Sequence, residues 1–123
     1  MSVITDVESL ANQLPALIAV QKAALAAKQS EMAILEKAGL FYANEHWRSG
    51  KYLYLIYPSH NGQRERKYVG ADPAKIEAAK ASIRRANEYG QLATEAAQIE
   101  RTLWQGSERL RDAVAYLSGQ RSW

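Results

Sequence analysis

The chain has no cysteine and only two histidines and three aspartates among its 123 residues. Without thiols there are no disulfides, thiolate metal sites or cysteine nucleophiles. His46 and His60 sit beside turn signals rather than in a ligand-spaced pair such as H-E-x-x-H, and no cluster of acids joins them. Gly50, Gly62 and Gly70 stand apart as turn glycines, so no glycine-rich phosphate loop exists, and no G-x-S-x-G elbow is present. The expectation is a non-enzyme with no catalytic residue, metal or cofactor. No run of apolar residues approaches the eighteen or so that a spanning helix needs. The opening MSVITDVESL has neither the basic nor the apolar region of a secretory signal. A cytoplasmic protein without membrane contact is therefore expected.

The composition is that of a folded chain, 47% hydrophobic and 24% charged, and its length suits a single domain over residues 1–123. Much of the hydrophobic share is alanine, so large core-filling side chains are scarce. Long alanine-rich helices of this kind need a partner helix, from the same chain or another copy, and a homo-oligomer is expected. The net charge of +3 is unevenly spread. Between Glu45 and Arg85 there are nine Lys/Arg against four Asp/Glu, and the remainder is slightly acidic.

Along the chain, the spacing predicts a helix over about residues 5–38. Thr5 and Glu8 have capping-box spacing, and Leu14, Ile18, Gln21, Leu25, Lys28, Met32 and Leu35 form a seam of alternating four- and three-residue steps. Gln21 and Lys28 interrupt its apolar character. Pro15 is expected either to bend this helix or to mark its start near Leu14, and Gly39 to end it. Residues Leu40 to Arg48 suit a first strand or an extension of the helix, followed by a turn at Ser49-Gly50.

A β-hairpin region is expected over about residues 41–70. Lys51 to Tyr57 is rich in aromatic and branched residues, Pro58 ends it, Asn61-Gly62 is a type I′ turn signal, and Gln63 to Val69 returns. With Asn61-Gly62 central, Tyr57 lies opposite Arg66, Leu55 opposite Tyr68 and Tyr54 opposite Val69. One face then carries Leu53, Leu55, Tyr57, Arg66 and Tyr68, and the other Tyr52, Tyr54, Ile56, Lys67 and Val69. A one-residue slip exchanges these sets. Asp72 as N-cap and Pro73 at the first helical position open a helix over about 73–105. Its seam runs Tyr89, Leu92, Ala96, Ile99, Leu103, then Leu110, Ala113 and Leu117, and Gly106-Ser107 is expected to separate a short helix over about 107–118. The fold class is thus α+β, mostly α: two long helices, as an antiparallel helical hairpin or coiled coil, joined by a β-hairpin insertion.

The constellation most suggestive of function is basic and aromatic. Arg48, Lys51, Tyr52, Tyr54, Arg64, Arg66 and Lys67, with Trp47 and Tyr68 nearby, combine cations that neutralise phosphates with rings that stack on bases. Lys75, Lys80, Arg84 and Arg85 follow on the next helix. The competing reading has the tyrosines packing the hairpin onto the helices and the charges solubilising an edge strand.

The order of strand K-Y-L-Y-L-I-Y, N-G turn, basic strand Q-R-E-R-K-Y-V-G, then D-P and a helix resembles the arm-type DNA-binding domain of phage tyrosine recombinases. That family lays a three-stranded sheet, backed by a helix, in the DNA major groove. The stretch is also similar to a small domain of bacterial proteins near mobile elements. The resemblance covers residues 47–87 and implies DNA contacts at Arg48, Lys51, Tyr52, Tyr54, Arg64, Arg66 and Lys67. The chain has no recombinase catalytic domain, so no recombinase activity is implied. Two readings follow: a nucleic-acid-binding protein of phage or mobile-element type, or a helical adaptor, scaffold or inhibitor that binds a protein partner and self-assembles.

Overall fold

The computed structural model describes residues 2–58 and 63–120. It is α+β: helix α1 (Val3–Ala38), strands β1 (Asn44–Arg48), β2 (Tyr52–Ile56) and β3 (Arg66–Gly70), and helix α2 (Pro73–Leu117). The strands form one antiparallel sheet in the order β1-β2-β3. Residues 44–48 are thus a strand and not a helical extension. The Asn61-Gly62 turn, His60 and the last three residues lie outside the described residues.

Local chemistry sets the helix ends. Helix α1 starts two residues earlier than the capping-box spacing implied. The Thr5 amide donates to Ser2 Oγ at 3.1 Å, which makes Ser2 the cap and Thr5 a residue of the first turn. Pro15 is inside the helix and does not begin it. Gly39, at φ 109°, ends it as expected, its amide reaching back to the carbonyls of Leu35 and Glu36. Helix α2 opens at the Asp72-Pro73 pair, where the Ala74 amide donates to Asp72 Oδ1 at 3.2 Å. It then continues through Gly106-Ser107 to Leu117, so there is no separate short helix. Two glycines and two serines in forty-five residues weaken the helix without breaking it, because each still offers both backbone partners to the ladder.

The chain divides into two compact units, Glu31–Ala93 and the pair Met1–Ser30 with Thr94–Trp123. The first holds the sheet and the core. Leu53 and Leu55 are fully buried against Ala79 of α2, with Phe41, Ala43, Tyr57, Val69, Ile76 and Ile83 packed around them. Arg85 ties the end of α1 to this core: its Nε donates to Gly39 O at 2.8 Å and its Nη2 to Ala38 O at 3.2 Å and to Ser82 Oγ at 2.8 Å. It thereby satisfies carbonyls that a helix end leaves unpaired. The Phe41 amide adds a bond of 3.1 Å to Ser82 O.

The second unit pairs the first part of α1 with the last part of α2. Gln21, Leu25 and Lys28 of the α1 seam, and Ile99, Leu103 and Leu110 of the α2 seam, are half-buried. Lys28, a cation within an apolar stripe, is accommodated by an ion pair to Glu95 at 2.6 Å. Among the described residues of this unit only Ala96 is buried.

Candidate nucleic-acid interface

Among the described residues, the β-ribbon is built around one tight turn and one bulge. At Arg48–Lys51 the Lys51 amide donates to Arg48 O at 3.2 Å, and both central residues have positive φ, 55° at Ser49 and 69° at Gly50. This handedness matches the twist of the flanking strands. The register of β2 with β3 differs by one from the one the Asn61-Gly62 turn implied. Ile56 faces Arg66, Leu55 faces Lys67 and Tyr54 faces Tyr68, while a bulge shifts the pairing so that Leu53 faces Gly70.

Two effects account for this slip. It brings the Tyr54 and Tyr68 rings to 4.9 Å between centroids, a favourable tilted contact. It also turns Val69, which alternates with Lys67, toward the core, and the bulge then sets Gly70, at φ 104°, opposite Leu53.

The slip decides the chemistry of each face. Since side chains alternate, Leu53 and Leu55 mark the helix-facing side, shared by Glu45, Trp47 and Lys67 through their cross-strand pairing. Glu65 falls in line with Tyr57, whose amide donates to Glu65 O at 2.9 Å. The opposite, solvent-facing side carries Asn44, His46 and Arg48 on β1, Tyr52, Tyr54 and Ile56 on β2, and Arg66 and Tyr68 on β3. No carboxylate lies on it. Tyr52 is 41% and Tyr68 57% exposed, and a shallow depression of about 300 Å³ is lined by Arg48, Ser49, Tyr52, Tyr54 and Tyr68.

Of the residues singled out in the sequence, Arg48, Tyr52, Tyr54 and Arg66 come together on this face. Lys51, in the turn after β1, and Arg64, two residues before β3, are exposed at opposite ends of the ribbon. Lys67 does not join them: its Nζ lies 5.1 Å from the Phe41 ring centroid on the other side. His46 and Tyr68 belong to the face although the reading from sequence did not place them there. For His46 the alternation of Asn44, His46 and Arg48 carried the signal. For Tyr68 the missing information was the register.

Of the cations that open α2, Lys80, Arg84 and Arg85 have other partners. Lys80 Nζ sits 5.5 Å from the Trp47 ring centroid, Arg84 bonds Glu77 at 2.9 Å, and Arg85 caps α1. Trp47 Nε1 donates to Glu45 Oε1 at 3.2 Å. Among the described residues no group of His, Asp or Glu could hold a metal ion. Nor is any helix of these residues long and apolar enough to cross a membrane. Compared with protein-family models, curated proteins and solved structures, the chain matches none.

Proposed function

We propose that the protein binds duplex DNA through the solvent-facing side of its sheet, as a non-enzymatic protein of phage or mobile-element type acting in the cytoplasm. The observation that carries this reading is the sorting of charge. Arg48 and Arg66 share one face with three tyrosines and no carboxylate, while Glu45 and Glu65 fall on the other. A face that merely solubilised an edge would have no reason to exclude acids.

Dimensions favour a major groove. Three strands spaced about 4.8 Å apart put the outer two about 10 Å from each other, and the groove of B-form DNA is about 12 Å wide. Arg48 on β1 and Arg66 on β3 are then set to reach the two groove walls, where they neutralise phosphate or read guanine. Tyr52, Tyr54 and Tyr68 form the apolar floor between them. A-form RNA has too narrow a major groove for such a ribbon. Lys51 and Arg64 extend the positive charge past both ends, and Lys67 has no part in the contact.

Fluorescence anisotropy with labelled duplex DNA, single-stranded DNA and RNA, at two salt concentrations, tests the proposal. The duplex is expected to bind tightest, with affinity falling steeply as salt rises. Arg48→Ala with Arg66→Ala is expected to weaken binding at least about tenfold and to reduce the log–log salt slope by about two, one for each lost phosphate contact. Lys67→Ala is expected to leave the affinity within about twofold, since one remote exposed charge is largely screened. No binding at low salt, or equal affinity for the double variant, would overturn the assignment and turn attention to a protein partner.

A further inference from the structure

The unit formed by Met1–Ser30 and Thr94–Trp123 has two helical segments and almost no interior. Between them runs a groove of about 820 Å³, with Leu14, Leu17, Ile18, Leu103, Leu110 and Val114 among its walls. Leu17 is 56% exposed and Val114 65%. Upstream, Val3, Val7 and Leu10 continue the same stripe of α1 at four- and three-residue steps, and they too are exposed.

We propose that a second copy of this chain fills the groove, the same two segments of each copy combining into a four-helix bundle. Two helices packed on each other leave these outer side chains exposed; four can bury them, around a shared centre. The surface area gives the scale. The chain exposes 9590 Å². A compact monomer of its mass would expose about 6600 Å², so the excess is about 3000 Å². An obligate homodimer hides about 1000–2500 Å² on each partner, which removes most of that excess.

The stripe itself suits a like copy. The only charges in the first twenty-one residues are Asp6 and Glu8, so α1 from Leu10 to Leu17 carries none. With a two-fold axis along the helices, α1 of each copy lies antiparallel to α2 of the other. The apolar side of one α1 is then set against that of the other α2, twice over. The interface is self-complementary and closes at two copies.

Sedimentation velocity on the full chain tests this, because the mass expected is twice 13.7 kDa. Leu17→Glu with Leu110→Glu is expected to halve it while leaving the sheet's DNA affinity per chain measurable. A chain monomeric across the micromolar range would overturn the proposal, and so would a dimer untouched by the two substitutions. Should the double variant fail to fold, a spin label on Ser107→Cys gives an independent reading, since the chain has no other cysteine. One label per chain yields a dipolar distance only between copies. The distance expected is under about 30 Å, given packed helix axes 8–10 Å apart. Absence of a distance, or a monomer that takes up a fluorescent fatty acid in the groove, would assign the groove to another occupant.

Discussion

Arg85 and Ser49 show how single residues hold the ribbon in place. The Arg85 guanidinium makes three hydrogen bonds, two of them to carbonyls at the end of α1. Replacing it with alanine leaves those acceptors without their cation. Arg85→Ala is expected to lower stability by about 1–3 kcal/mol in urea titrations, while the DNA affinity of the folded fraction is unchanged. Ser49 is the only non-glycine residue with positive φ among those described, at 55°. A left-handed conformation costs an ordinary residue about 1–2 kcal/mol, and asparagine tolerates it better. Ser49→Asn is expected to raise the unfolding midpoint. Gly50→Ala, at φ 69° with open space around it, is expected to lower it through backbone strain alone.

At the scale of elements, α1 carries an internal weakness that the tertiary structure tolerates. Pro15 cannot donate to the carbonyl of Ala11, and its ring crowds that group, yet the helix runs unbroken from Val3 to Ala38. Pro15→Ala is expected to stabilise the protein by up to about 3 kcal/mol, visible as greater helicity near the melting midpoint by circular dichroism. The sheet depends on its register rather than on either strand alone. In the register that the Asn61-Gly62 turn implied, Val69 would lie opposite Tyr54 and turn outward, which would remove an apolar side chain from the small core around Leu53 and Leu55. A Cβ at residue 70 would meet the Tyr68 ring at 3.6 Å, an ordinary contact, so φ 104° is what reserves the position for glycine.

At the scale of the whole molecule, the buried hydrophobic residues are Leu53, Leu55, Leu92 and three alanines among those described. Six side chains, half of them alanine, give a 123-residue chain little hydrophobic stabilisation of its own. In the dimer proposed above, association would supply the remainder. The thermal midpoint is accordingly expected to rise with protein concentration, by mass action, in scans over a hundredfold dilution series. A midpoint independent of concentration would leave the stability with the monomer. A dimer also presents two sheets, so duplex DNA with two sites is expected to bind tighter than duplex with one.

The amino-acid sequence by itself determined the helices, their seams and most of their ends, because these rest on contacts between residues three or four apart. Asp72-Pro73 and Gly39 terminate helices through their own backbone chemistry, and Ser49-Gly50 makes its turn in the same way. The α1 cap was misread by three residues, since Ser2-Thr5 and Thr5-Glu8 offer the same spacing. Composition was enough to exclude a thiol site. Only the tertiary structure decided which side of the ribbon each cation occupies. Strand side chains alternate with a period of two, so a shift of one residue moves Arg66 and Tyr68 to the solvent and Lys67 to the helix side. That shift is settled by cross-strand ring contact and by the packing of Val69 on the core, both arising between residues distant in sequence. For the same reason Arg85 read as one more basic residue, until the end of α1 was found within its reach.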